Sequence, residues 1–323
     1  MKYKAKLTKL LRNNIVVMAL LFLIVIMSVA SDKFFTPDNI VNILSQIAIY
    51  GVVAYAMTFA IICGEFDLSV GSLMAVVTIL FTDFSKNYGI LPAVLVCFAA
   101  GLVVGLINGL MVAKIKMSAF VATLSTMIAL NGFSLWYTDG KPINYVNEAI
   151  SDFGNGDFLG IPYIVYFFFA TLIVAEVVLR YTKFGRGVYA TGGNMNVAKM
   201  AGINVDFYKI IIFIILGITT ALAGILLGAR MSGGNALFGR DLALSVVAAV
   251  VIGGTSLSGG KGSAIKTLWG MLVIGVLFNA LLILGVQANW QDVIKGAILI
   301  IVVSVDSYFA QSKNKLRIVR EKS

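Results

Sequence analysis

Between Lys209 and Arg230 the chain reads IIIFIILGITTALAGILLGA, residues 210–229, without a single charge. As an α-helix, a run of that length is about 30 Å long, the thickness of a bilayer's hydrocarbon core. The run is continuous rather than alternating, which excludes an outer-membrane barrel. A helix is the form that satisfies its own backbone polar groups in lipid. Working outward, blocks of the same kind recur at 13–31, 39–62, 66–82, 91–113, 118–138, 161–180, 242–257, 264–285 and 290–309. The whole chain agrees, with 59% hydrophobic residues, 12% charged residues and a mean hydropathy of +0.96. Soluble domains carry about 25% charged residues. The fold class is therefore all-α, a polytopic membrane helix bundle of about ten transmembrane helices. One membrane domain occupies 1–323, with a basic N-terminal segment 1–12, a long polar loop 181–208 and a basic tail 310–323.

The net charge of +10 does not point to nucleic acid, because the charge is sorted by side. Of the 25 Lys and Arg residues, Lys33, Lys86, Lys141, Arg230 and Arg240 fall on one side of the predicted spans, and Lys295 lies within the last. The rest fall on the other side, which the positive-inside rule makes cytoplasmic, with both termini. The basic start before an apolar block resembles a signal peptide, but no small-x-small cleavage site follows, so a first span is expected. The chain has no His, the commonest general base and metal ligand. Cys63 and Cys97 lie in apolar runs and read as packing residues. No metal site and no bound cofactor are expected.

Three groups of residues break the apolar pattern. Gly64-Glu-Phe-Asp-Leu-Ser-Val-Gly-Ser72 places Gly64, Asp67, Ser69 and Gly71 between two spans. It reads either as a tight turn with Asp67 or Ser69 capping the next helix, or as a broken-helix element near a pathway. Gly253-Gly-Thr-Ser-Leu-Ser-Gly-Gly-Lys-Gly262, with Gly253, Gly254, Thr255 and Ser256, is not a phosphate loop. Lys261 is followed by Gly262 rather than Ser or Thr, and no strand precedes it. It reads as a close-packed turn or a pathway lining. The two motifs resemble each other, which fits either an internal repeat of two halves or chance among Gly-rich segments.

The third group is uncharged polar residues within the spans. Asn108, Thr123, Ser125, Asn131 and Asn279 either join helices or face a wet path for a neutral polyol. No acid stands mid-span as a proton relay requires. In the loop 181–208, Met195 to Ala201 suits a short helix, with Asn194 as N-cap and Gly202 as stop. A short helix on the cytoplasmic face is a place for another protein to dock.

These residues, taken in order, resemble the membrane-spanning permease subunits of bacterial ATP-binding cassette importers for simple sugars, the ribose, galactose and xylose permease family. The resemblance is carried by Gly64–Ser72, Phe120-Val-Ala-Thr-Leu124, Tyr137-Thr-Asp-Gly140, Phe184-Gly-Arg186, Thr191-Gly-Gly-Asn194 and Ala201-Gly-Ile-Asn204. It continues through Leu222-Ala-Gly-Ile225, Ile252–Leu257, Gly259–Gly262 and Ile294-Lys-Gly-Ala297. It implies a non-catalytic permease that works as a dimer, homodimer or heterodimer, in the cytoplasmic membrane. Separate ATPase subunits would use ATP and magnesium inside, and an extracytoplasmic binding protein would deliver sugar outside.

The segment around Gly192, Gly193, Asn194, Ala198, Lys199 and Gly202 would then be the coupling loop to the ATPase. The chain departs from the family pattern at Glu65, where the family has Gly, and at Ala243-Leu244, where it has Glu-Leu. The alternative is a stand-alone ion-coupled carrier of a small polar solute, against which the lack of mid-span acids speaks.

Overall fold

The structure, a computed structural model, describes residues 15–301, 303 and 304. The basic segment 1–12, the tail 310–323 and the end of the last predicted span lie outside the described residues. The helices in chain order are α1 (Ile15–Ala30), α2 (Pro37–Cys63), α3 (Val70–Tyr88), α4 (Ile90–Ala113) and α5 (Ala119–Thr138). The long loop that follows holds α6 (Glu148–Asn155) and two-residue strands β1 (Ile143–Asn144), β2 (Asp157–Phe158) and β3 (Ile161–Pro162). Next come α7 (Tyr163–Tyr181), α8 (Lys183–Gly193), α9 (Met195–Met200), α10 (Val205–Met231), strand β4 (Gly233–Gly234), α11 (Leu242–Ile252) and α12 (Ala264–Ile283). A last helix, α13, starts at 288.

The chain is an all-α membrane bundle. Among the described residues α2, α4, α5, α7, α10 and α12 are long and apolar enough to cross a bilayer. Among the described residues helix also runs through part or all of each of the other predicted spans, with two differences of extent. The third starts only at Val70, after a non-helical Gly64–Ser69. The eighth, predicted over 242–257, is an 11-residue helix, about 16 Å long. It is preceded by an irregular segment, 235–241.

α2 stands at the centre and is buried from Ile47 to Cys63 except Tyr50, which is partly exposed. Pro37 opens it at a position where its missing N–H costs nothing, and Gly64 ends it in the left-handed conformation (φ 84°). α4 and α10 cross on small residues. A β-carbon on Gly101, Gly105 or Gly109 of α4 would run into the backbone of Gly217, Phe213 or Ile210 of α10. Lipid gives helices no hydrophobic reason to associate, so close backbone approach supplies the packing.

Residues at each end of the bundle contact one another. Residues placed inside meet one another: Lys114 and Lys116 pair with Asp206 at 3.6 and 2.7 Å, and Tyr189 donates to the Gly262 carbonyl at 2.9 Å. Residues placed outside do the same. Arg230 donates to Asn42 at 3.0 Å, Tyr137 to Asp83 at 2.6 Å, and β1 pairs antiparallel with β4.

Candidate functional site

The segment between α2 and α3 turns back into the bundle. Asp67, buried, accepts from the Ser69 amide at 2.7 Å, the Ser69 hydroxyl at 2.6 Å and Asn108 Nδ2 at 3.2 Å. Asn108 Nδ2 also donates to Ser69 Oγ at 2.9 Å, while its carbonyl oxygen accepts from Thr126 at 2.6 Å. The Leu68 amide donates to Thr123 Oγ1 at 3.1 Å. Asn108 lies more than one turn from the end of α4 and Thr123 one turn into α5, so Asp67 and Leu68 sit inside the bundle rather than at its surface. Of the two expected caps, Ser69 holds the N-cap position of α3, but its hydroxyl goes to Asp67 instead of the helix.

On the other side of α3 the irregular segment descends from the outer loop. Gly234 lies against Ile79 and Gly239 against Gly71, two turns lower on α3. No β-carbon fits at Gly71, where it would meet the Gly239 carbonyl, and Gly239 has a positive φ of 76°. Non-helical backbone at membrane depth is tolerated where protein buries it or where it lines a cavity. It lines one here. A cavity of about 490 Å³ is bounded by Leu68, Gly71 and Ser72 at the start of α3, Asn131 near the middle of α5, and Phe238 and Arg240 of the descending segment. Ser72 Oγ donates to Asn131 Oδ1 at 3.1 Å. The volume is in the range of small-molecule sites, about 300–1,000 Å³. A second cavity of about 210 Å³ shares Arg240 and Leu244 and is bounded by Asp241, Asp292 and Lys295. Lys295 pairs with both acids there.

Of the polar residues read as path or packing, Asn131 lines a cavity. Asn108 and Thr123 are fully buried in the network just described. Asn279 exchanges two hydrogen bonds with Asn39, at 2.7 and 3.1 Å, and joins α12 to α2. Ser125 is exposed and bonds back to the Val121 carbonyl of its own helix. Ser72, Gly239 and Arg240 were not singled out in the sequence. The signal was there in Gly233-Gly-Asn235 and Gly239, four helix-breaking residues within what reads as a short outer loop.

At the opposite end three turns meet. Gly260 N–H donates to the Ile62 carbonyl at 2.7 Å, and a β-carbon on Gly192 would overlap that same carbonyl. The second Gly motif is thus a close-packed turn. Gly253 presses on the Lys266 backbone, Gly254 has φ 96°, Thr255 is buried, and Ser256 N–H donates to Lys261 O at 3.1 Å. Burial, and after it the neighbouring Glu176 charge, raises the Tyr189 phenol above its ordinary pKa.

The short helix α9 forms where it is expected. The Asn194 side chain accepts from the Asn196 and Val197 amides at 3.0 and 3.1 Å, and Gly202 stops the helix with φ 80°. Ala198 faces inward at 3% exposure. Lys199 points outward with Val197 and Met200, which are 59% and 88% exposed. Gly193 has open space around its α-carbon. Among the described residues no group of His, Cys, Asp and Glu could hold a metal ion.

Comparison with known proteins places this architecture. A family model described as "Branched-chain amino acid transport system / permease component" matches residues 39–303. The ribose import permease protein RbsC of Bacillus subtilis is 41% identical over 90% of this chain and 91% of its own length. RbsC of Escherichia coli K12 is 39% identical over 90% of this chain and 92% of its own. The L-arabinose ABC transporter permease protein AraH of Azospirillum brasilense is 34% identical over 96% and 92%. No solved structure matches significantly. A helical bundle with a cavity beside its irregular segments agrees with what the family model and relatives along nearly the whole length establish: the chain belongs to the family of membrane permease components of ATP-binding cassette importers.

Proposed function

We propose that this permease carries a simple sugar across the cytoplasmic membrane of a bacterium. The observation that carries the reading is the 490 Å³ cavity with Ser72, Asn131 and Arg240 on its wall, since such groups match a polyol's hydroxyls. The names of the sugar-importing relatives support it. An extracytoplasmic binding protein delivers the sugar, and cytoplasmic ATPase subunits bind ATP and magnesium and dock on α9. The permease works beside a second copy of itself, as the resemblance implies, and binds no cofactor of its own. The expected coupling residues are Gly192, Gly193, Asn194, Ala198, Lys199 and Gly202. Ala198 faces inward and would support α9, while the outward Val197, Lys199 and Met200 would meet the ATPase.

A screen of the partner binding protein against sugars and amino acids, by thermal shift, tests the substrate class. Stabilisation by a pentose or hexose is expected. Stabilisation by a branched-chain amino acid and by no sugar contradicts the reading.

The same proposal includes ten spans, which helix at each of the ten predicted stretches supports, and two repeated halves, which only the likeness of the two Gly motifs supports. It places both termini and residues 181–208 in the cytoplasm, on the strength of the sorted basic residues. Single cysteines at Asn147 and Asn196, in a chain lacking Cys63 and Cys97, are expected to react with an impermeant thiol reagent from opposite sides. Labelling from one side contradicts this orientation.

A further inference from the structure

Glu65, an acid in a Gly-rich turn between two helices, has a partner far away in sequence. Lys209 Nζ donates to Glu65 Oε1, with the two side chains 11% and 12% exposed. Opposite charges so enclosed persist only together, because removing either strands the other.

The pair's position is more telling than its burial. On the Lys209 side, the preceding Tyr208 stacks on Phe184 of α8 with ring centroids 5.4 Å apart. The Tyr208 ring also covers Gly187 of α8, where a β-carbon would overlap it. α8 runs directly into α9, and α9 leads back into α10. Whatever moves α9 therefore bears on the turn of α10 that carries Lys209. On the Glu65 side, the chain enters the inward segment 66–69 and reaches Leu68, Gly71 and Ser72 on the cavity wall. Packed surfaces transmit a push. A buried ion pair also resists separation, so it transmits a pull in the other half of a cycle.

We propose that the Glu65–Lys209 ion pair ties the docking elements α8 and α9 to the cavity wall, and that Glu65 and Lys209 are positioning residues for transport. The proposal rests on the docking role given to α9 above. It goes beyond that role in naming the link between the docking site and the pathway.

The test uses the complete transporter, permease with ATPase and sugar-loaded binding protein, in proteoliposomes. Sugar uptake and ATP hydrolysis are measured on the same vesicles. Doubly neutral Glu65→Ala/Lys209→Ala leaves no stranded charge, so the complex is expected to assemble. It is expected to hydrolyse ATP at the rate of the unaltered complex but to move about tenfold less sugar per ATP. The reversed pair Glu65→Lys/Lys209→Glu is expected to restore uptake per ATP to within about twofold of the unaltered complex. An unchanged ratio in the doubly neutral variant overturns the proposal. So does a loss of uptake and hydrolysis in equal proportion, which marks a merely structural pair. Absence of ATP-driven uptake by the unaltered complex removes the transport reading itself and the link with it, a result distinguishable from failure of the variants alone.

Discussion

Val197→Asp combined with Met200→Asp is expected to lower ATP-driven uptake by about 100-fold or more, while the permease inserts normally and keeps its thermal midpoint. Both side chains lie on a six-residue helix beyond the apolar spans, and both point away from the bundle. Their exposure means the fold loses little when they change. A partner's apolar groove loses much more, since central contacts of this kind carry about 2 kcal/mol or more each and a buried unpaired carboxylate adds a desolvation cost. Two such losses exceed the 1.4 kcal/mol that corresponds to each factor of about ten. Co-purification with the ATPase subunit and uptake into vesicles measure it. Normal co-purification would show that the ATPase docks elsewhere.

Asp67→Ala is expected to have the opposite profile, with damage to the fold itself. The carboxylate accepts from the Ser69 amide, the Ser69 hydroxyl and Asn108. All of these groups are buried, and each donor left without an acceptor costs about 1–3 kcal/mol. The expected sum is about 3–5 kcal/mol, a large part of a domain's total stability. Asp67→Asn retains an acceptor oxygen and is expected to lose less than half as much. Thermal unfolding of the purified permease in detergent measures both. Equal midpoints for Asp67→Ala and the unaltered chain would mean that the inward segment does not depend on this network.

These two results probe different levels of legibility in the sequence. The membrane helices were legible because lipid leaves one backbone solution for a charge-free run such as 210–229. α9 was legible too, since Asn194 and Gly202 are local signals whose geometry depends on neighbours only a few residues away. Which face of α9 points outward was not legible. Six residues are too short to display an amphipathic pattern, and Ala198 reads equally well as a contact or as filler.

The irregularity of segment 235–241 was signalled by its glycines, but its descent beside α3 was not, for a related reason. Gly and apolar residues fit both a surface loop and a close-packed irregular backbone inside a bundle, and the choice is made by Gly71 meeting Gly239. Asn108, Thr123 and Asn279 show the same limit. Their chemistry suits water or another helix, and only their position sets them in hydrogen bonds between elements. The partner of Glu65 lies 144 residues away, beyond any local pattern.

The central claim is that this chain is a passive pathway whose movement is driven by a separate ATPase. The direct measurement is uptake of the sugar that the binding protein recognises, into proteoliposomes holding the permease with and without the ATPase, with ATP enclosed and ion gradients collapsed by ionophores. The account predicts uptake that requires the permease, the ATPase, ATP and the loaded binding protein together, and that ionophores leave unchanged. Uptake by the permease alone, driven by a proton or sodium gradient and abolished by the ionophores, would contradict it.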